Sequence, residues 1–260
     1  MVTRPWVKYT CPMKNFSLLV ALLLLSLPLS AQEDEEPDSH DPYDQTTPLI
    51  DAVKADDEKQ IQALLGSDDP NEVVGAGPAL MWARSASVVR LLVAGGAQPN
   101  LPFHDTTVLA MQVQQSDNFP VIAALLEVGA QVTDESLFSA AEYADDLRVV
   151  KALIDHGAPL AARDELGRTA FLVAAGRNAH VPVIQALLEG GSDPSATDNE
   201  GQTALMNAVV GRNSLEVFRY LKNNTAGGVP VDKKGRSVEA LIRLFISENP
   251  NAFLAALKAP

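Results

Sequence analysis

The chain has 260 residues; 47% are hydrophobic but only 5% are aromatic, so Ala, Leu and Val must build its core in place of large rings. Twenty Lys and Arg face 33 Asp and Glu, a formal charge of −13. A chain this acidic repels phosphate backbones and anionic lipid surfaces, which excludes nucleic acid as an expected partner.

From the N-terminus, residues 13–31 read "MKNFSLLVALLLLSLPLSA": Lys14 precedes an apolar run from Ser17 to Leu29, and small residues precede Gln32. This is the layout of a cleavable secretory signal, and the run is too short to span a bilayer comfortably. Residues 1–12 fit no signal grammar, so Met13 is the expected start and 1–12 an extension. The expected product is exported, periplasmic or extracellular, with no stable membrane insertion after cleavage. Losing 1–31 removes the one cysteine, Cys11, and leaves 17 basic against 33 acidic residues, or −16. Residues 32–45, "QEDEEPDSHDPYDQ", carry too little apolar surface to offset ordering entropy and read as a flexible acidic leader.

From residue 46 the chain repeats itself to residue 260. Paired segments follow one another: "TPLIDAV…IQALL", "PALMWA…VVRLLVAGGAQPN", "TVLAMQV…VIAALLEVGAQV", "SLFSAA…VVKALIDHGAPL", "TAFLVAA…VIQALLEGGSDP" and "TALMNAV…VFRYLKNN". A degraded seventh copy, "GRSVEALIRLF…FLAALK", closes the chain. The period of roughly 29–34 residues predicts a stacked array in which no unit buries its apolar face alone. Thr47, Thr107, Thr169 and Thr203 stand where a hydroxyl caps a first helix, and Pro48 and Pro78 where a missing N–H costs nothing. Ala140-Ala141 and Ala174-Ala175 predict close helix packing. Leucine pairs such as Leu91-Leu92 and Leu187-Leu188 form second helices, which end at Gly95-Gly96, Gly129, Gly157 and Gly190-Gly191.

These phrases resemble the ankyrin repeat family, most specifically at "TPLI" (47–50), "LLVAGGAQPN" (91–100), "DELGRTAFLVAA" (164–175) and "DNEGQTALMNAV" (198–209). The resemblance implies an all-α solenoid of six to seven helix-turn-helix units with projecting finger loops and a concave binding face. Departures carry their own expectations. The family's TPLH histidine is replaced by Ile50, Met81, Ala110, Phe138, Leu172 and Met206, so apolar packing must take over its hydrogen bonding. The second unit lacks residues between Ala83 and Val88, predicting a short or distorted pair. The fourth lacks the fingertip Asp and Gly, predicting a reduced loop.

Catalytic chemistry finds no foothold. His40, His104, His156 and His180 form no HExxH and no Cys/His cluster, and no nucleophile elbow or phosphate loop occurs. The Gly75 and Gly77 pair in "VVGAGPAL" fails dinucleotide spacing. His156, before a helix-ending glycine, reads as a cap. No enzyme, metal or cofactor is expected, which leaves binding of another protein. Trp82 is the candidate anchor, on the first helix of the distorted unit. Phe103 and His104 sit on a fingertip, Arg168, Asn199 and Glu200 on later fingers, and Tyr143, Arg177 and Arg212 near the turns between helices. "GRN" recurs at 176–178 and 211–213 as a turn device in which Gly or Asn takes positive φ. Exported ankyrin proteins of this build resemble bacterial self-protection factors. That implies a client enzyme with a basic surface, such as a murein peptidase or lipase, which the chain binds and inhibits or shields. The alternative is a stress-defence scaffold supporting a catalase.

Overall fold

The computed structural model describes residues 46–259 apart from 76, 105, 116–117, 179 and 226–230; the signal, leader, Cys11 and His40 lie outside the described residues. Among the described residues seven helix pairs follow one another. α1 (Pro48–Lys54) pairs with α2 (Glu58–Leu64), and a single-turn 3-10 helix (Ala79–Trp82) with α3 (Ala86–Ala94). Next come α4 (Val108–Gln115) with α5 (Phe119–Glu127), and α6 (Asp134–Tyr143) with α7 (Leu147–Asp155). The array ends with α8 (Ala170–Arg177) and α9 (Val181–Glu189), α10 (Ala204–Val210) and α11 (Leu215–Asn224), and α12 (Val238–Phe245) and α13 (Pro250–Lys258). First helices stack on first helices, α4 on α6, α6 on α8, α8 on α10, and second helices do likewise.

Every first helix except the 3-10 turn of the second unit starts on a hydroxyl. Thr47 accepts from the N–H of Ile50 at 3.1 Å, Thr107 from Ala110 at 3.1 Å, and Thr169 and Thr203 from Leu172 and Met206 at 3.4 Å. α6 begins earlier than its spacing predicts: Thr133 caps it, and Ser136 returns a reciprocal bond to the Thr133 N–H at 3.0 Å. Hydrogen bonding therefore survives at this helix start, whereas apolar Ile50, Leu172 and Met206 are buried at 2% exposure or less. Pro78 sits at the cap position, one residue before the place expected for it. The second unit is distorted as its deletion predicts, its first helix reduced to four residues. The fourth unit's loop is reduced too, since α6 follows directly on residues 128–133.

Small residues set the spacing. Ala140, Ala141, Ala174 and Ala175 are each fully buried between neighbouring first helices, where a larger side chain would hold the backbones apart. One core cluster runs from Leu49 through Leu221, and a second, around Met206, Phe218, Leu241, Ile242 and Phe253, closes the C-terminal end. At the second-helix ends Gly96, Gly129, Gly157 and Gly191 take positive φ, while Gly95 and Gly190 do not.

Candidate interaction surface

The finger loops explain the recurring phrase. Asp164 Oδ1 accepts from the N–H groups of Leu166 and Arg168 at 3.0 and 2.8 Å, and its second oxygen pairs with the Arg168 guanidinium at 2.7 Å. Asp198 accepts from Glu200 and Gln202 in the same way, and Asp232 from Lys234 and Arg236. The turn so closed requires a left-handed residue, supplied by Gly167, Gly201 and Gly235 at φ between 72° and 75°. Neighbouring fingers then join. The Asn199 N–H donates to the Leu166 carbonyl at 2.8 Å, its side-chain amide to that of Glu165 at 3.0 Å, and the Lys233 N–H to that of Glu200 at 2.8 Å.

This geometry divides the sequence-derived candidates. Arg168 is a brace, its side chain only 18% exposed against Asp164. Asn199 is exposed but spends its amide on the preceding finger. Glu200 faces Lys234 at 2.5 Å, and that hydrogen bond and charge hold its carboxyl below the usual Glu range. Beside them Leu166 and Val231 leave apolar side chains 59% and 55% exposed, residues that charge-centred reading of the sequence passed over.

A second edge lies at the far ends of the first helices, about 12 Å away along an eight-residue helix. Tyr143, Arg177 and Arg212 fall here on consecutive units, and all three are exposed. Arg177 reaches Glu142 at 3.2 Å. Burial, then the Glu142 charge, pushes the Tyr143 hydroxyl above its ordinary pKa, so it remains a neutral donor at physiological pH. His180 Nε2 lies 2.8 Å from Asp145. The "GRN" turns work differently from expectation: at the second copy Arg212, not Gly or Asn, takes the positive φ of 57°. Gly211 is required because a Cβ there would stand 1.9 Å from the Gly176 carbonyl oxygen. Asn213 is buried and donates to the carbonyls of Ala175 and Asn178, while Asn178 donates to Ala144, so the asparagines tie one unit to the next.

The remaining candidates belong to the second and third units. Phe103 is corrected: it is buried at 9% exposure against Gly77 and cannot present its ring to a partner. His104 beside it is exposed, held at φ 51° with its ring edge-on to Phe103 at 4.3 Å. Trp82 is half-buried; Lys54 Nζ lies 4.0 Å from its ring centre, and its buried indole N–H has no acceptor among the described residues. His156 caps α7 as expected, its Nδ1 donating to the Ala152 carbonyl at 2.8 Å. A groove of about 460 Å³ between α9 and α11, lined by Gln185, Glu189, Ser192 and Tyr220, holds none of the candidates.

The ankyrin repeat family model, three copies, matches residues 137–234. The chain carries ankyrin repeats there, and its helical array has the ankyrin fold. Its ankyrin array is similar to the ankyrin repeat domain of Bcl-3, a member of the IkappaB family, at 23% identity and TM-score 0.67, covering 83% of this chain and all of that one. The human ASB11 ankyrin repeat domain matches at 20% identity and TM-score 0.70, with the same coverage. A chain from the complex of a predatory endopeptidase of Bdellovibrio bacteriovorus with an immunity protein matches at 22% identity and TM-score 0.59, covering 70% of this chain and all of that one. No curated protein sequence matches. Ankyrin repeats are a protein-binding module.

Proposed function

We propose that the protein is exported and binds another exported enzyme, inhibiting or shielding it in a self-protection role. The observation that carries this reading is the open pair of edges on the ankyrin array: exposed Leu166 and Val231 at the fingers, exposed Tyr143, Arg177 and Arg212 at the turns. Such mixed apolar, aromatic and arginine surfaces are what protein interfaces select. The secretory layout of residues 13–31 supports an exported site of action. The similarity to a chain from an endopeptidase–immunity protein complex supports a hydrolase as the client class. The acidic chain suits a client with a basic surface, because opposite charge steers encounter and rejects wrong partners.

The test is capture from the exported fraction of the producing cells, with the chain from residue 32 onward as bait. A stoichiometric hydrolase whose activity falls when the bait is added is the expected result. Capture of no exported enzyme overturns the reading.

A further inference from the structure

A chain of net charge −13 carries one stretch of edge without acids of its own. Residues 169–188 and 201–215, which include α8, α10 and the turns after them, contain no Asp or Glu, yet each turn presents an exposed arginine, Arg177 and Arg212. The two turns touch. The Asn213 side chain donates to the carbonyls of Ala175 and Asn178 at 2.9 and 2.8 Å, and Gly211 lies against Gly176. The Asn178 amide donates in turn to Ala144 at 2.9 Å, beside Tyr143, which is 50% exposed. Little of this cationic capacity is spent. Arg177 commits one nitrogen to Glu142 at 3.2 Å and leaves its side chain 57% exposed, while Asp145 is taken by His180. Among the described residues the Arg212 side chain makes no hydrogen bond and no ion pair. Arg212 also holds φ 57°. At the matching place after α1, Asp56 holds φ 56° and accepts from the Ser85 hydroxyl at 2.8 Å. An aspartate tolerates that backbone, whereas an arginine is strained by it and here returns no local bond.

A guanidinium is a planar fork of donors that matches a carboxylate, and Tyr and Arg are the side chains that interface centres favour. We infer that the turns of units four to six bind an acidic loop of a protein partner, whose carboxylates meet Arg177 and Arg212 beside Tyr143. This rests on the exported-client reading and names what the turn edge recognises in that client. The negative surface elsewhere draws in a basic client, and this cationic step fixes the register in which its acidic loop is seated. Leu166 and Val231 stay free on the finger edge for a second part of the same contact.

The probe is an end-capped tetraglutamate peptide, titrated at low salt into the chain from residue 32 onward and followed by backbone and guanidinium NMR signals. Those of Arg177 and Arg212 are expected to shift. Arg177→Gln with Arg212→Gln is expected to weaken binding about tenfold. Arg219→Gln with Lys258→Gln removes the same charge from the last two units and is expected to stay within about twofold of the parent. Arg212→Gly separates binding from folding. Glycine takes positive φ without strain, so this variant keeps the parent's urea midpoint and still binds the peptide poorly. The inference is overturned by no binding to the parent, by equal loss in the second pair, or by an Arg212→Gly chain that unfolds or binds like the parent. Tighter binding to phosphatidylglycerol vesicles than to the peptide also overturns it. A captured exported enzyme that is inhibited equally by the parent and by the Arg177→Gln, Arg212→Gln chain overturns this inference alone. Capture of no exported enzyme overturns the functional reading, whatever the peptide shows.

Discussion

Asp232 shows how one carboxylate closes a finger. Burial pushes its carboxyl up, but the Arg236 guanidinium and the N–H groups of Arg236 and Lys234 pull harder, leaving it below the ordinary Asp value of 3.8. The ionised form is therefore favoured by folding. Its contribution is complete above the ordinary Asp range and disappears as pH falls through the lowered folded value. Asp232→Asn should lower the urea midpoint at pH 7, and the gap from the parent should close as pH falls through the lowered folded value of Asp232. A gap that persists unchanged at low pH would show that packing, not ionisation, gives Asp232 its weight. The sequence made the aspartate visible because it recurs five residues before a hydroxyl cap, as in "DELGRT" and "DNEGQT". It could not reveal that Arg168 belongs to the same device, since an arginine on a loop reads equally well as a contact for a partner. Phe103 misled for a related reason: a ring in a finger looks exposed until Gly77 is seen to make room beneath it.

At the scale of elements, the stack depends on how near one first helix comes to the next. Gly176 and Gly211 mark the tightest point, where any Cβ on Gly211 would overlap the Gly176 carbonyl oxygen of α8. That carbonyl is backbone and cannot swing aside, so α10 would have to move. Gly211→Ala is expected to destabilise the protein by about 3 kcal/mol. Gly157→Ala provides the comparison: nothing lies within 4 Å of its Cβ position, and the cost is only left-handed strain, about 1 kcal/mol. Urea melts of the two variants measure the difference, and equal losses would mean the close approach relaxes freely. The repeat period, the threonine caps and the small-residue pairs were readable from the chain because they act within one unit. Asn178 and Asn213 were not, because their carbonyl partners lie 34 to 38 residues back and no local pattern points to them.

Over the whole molecule, stability is a sum of neighbour interfaces, and a stack is weakest where an apolar face has a neighbour on one side only. The C-terminal units solve this with their own cluster: Met206, Val209 and Phe218 are fully buried beneath Val238, Leu241 and Ile242, and Phe253 meets Phe218 edge-on with ring centres 5.2 Å apart. α12 and α13 thus cover α10 and α11 although their sequence is the most degraded of the copies. Their amphipathic pattern survives because a capping unit needs one apolar face and a soluble outer one, not the full repeat phrase. Ending the chain at Thr225 removes that cover and lays bare the Met206, Val209 and Phe218 face. Hydrogen-exchange protection should then vanish first from residues 203–224 while α4 to α9 keep theirs, and the shortened chain should self-associate as concentration rises. Phe253→Ala is the milder form of the same lesion, costing about 3 kcal/mol with its effect concentrated in the last two units. A shortened chain that unfolds in one step at the parent's urea midpoint would mean that α10 and α11 need no cap, and the array would then behave as a single cooperative body instead of a chain of neighbour contacts.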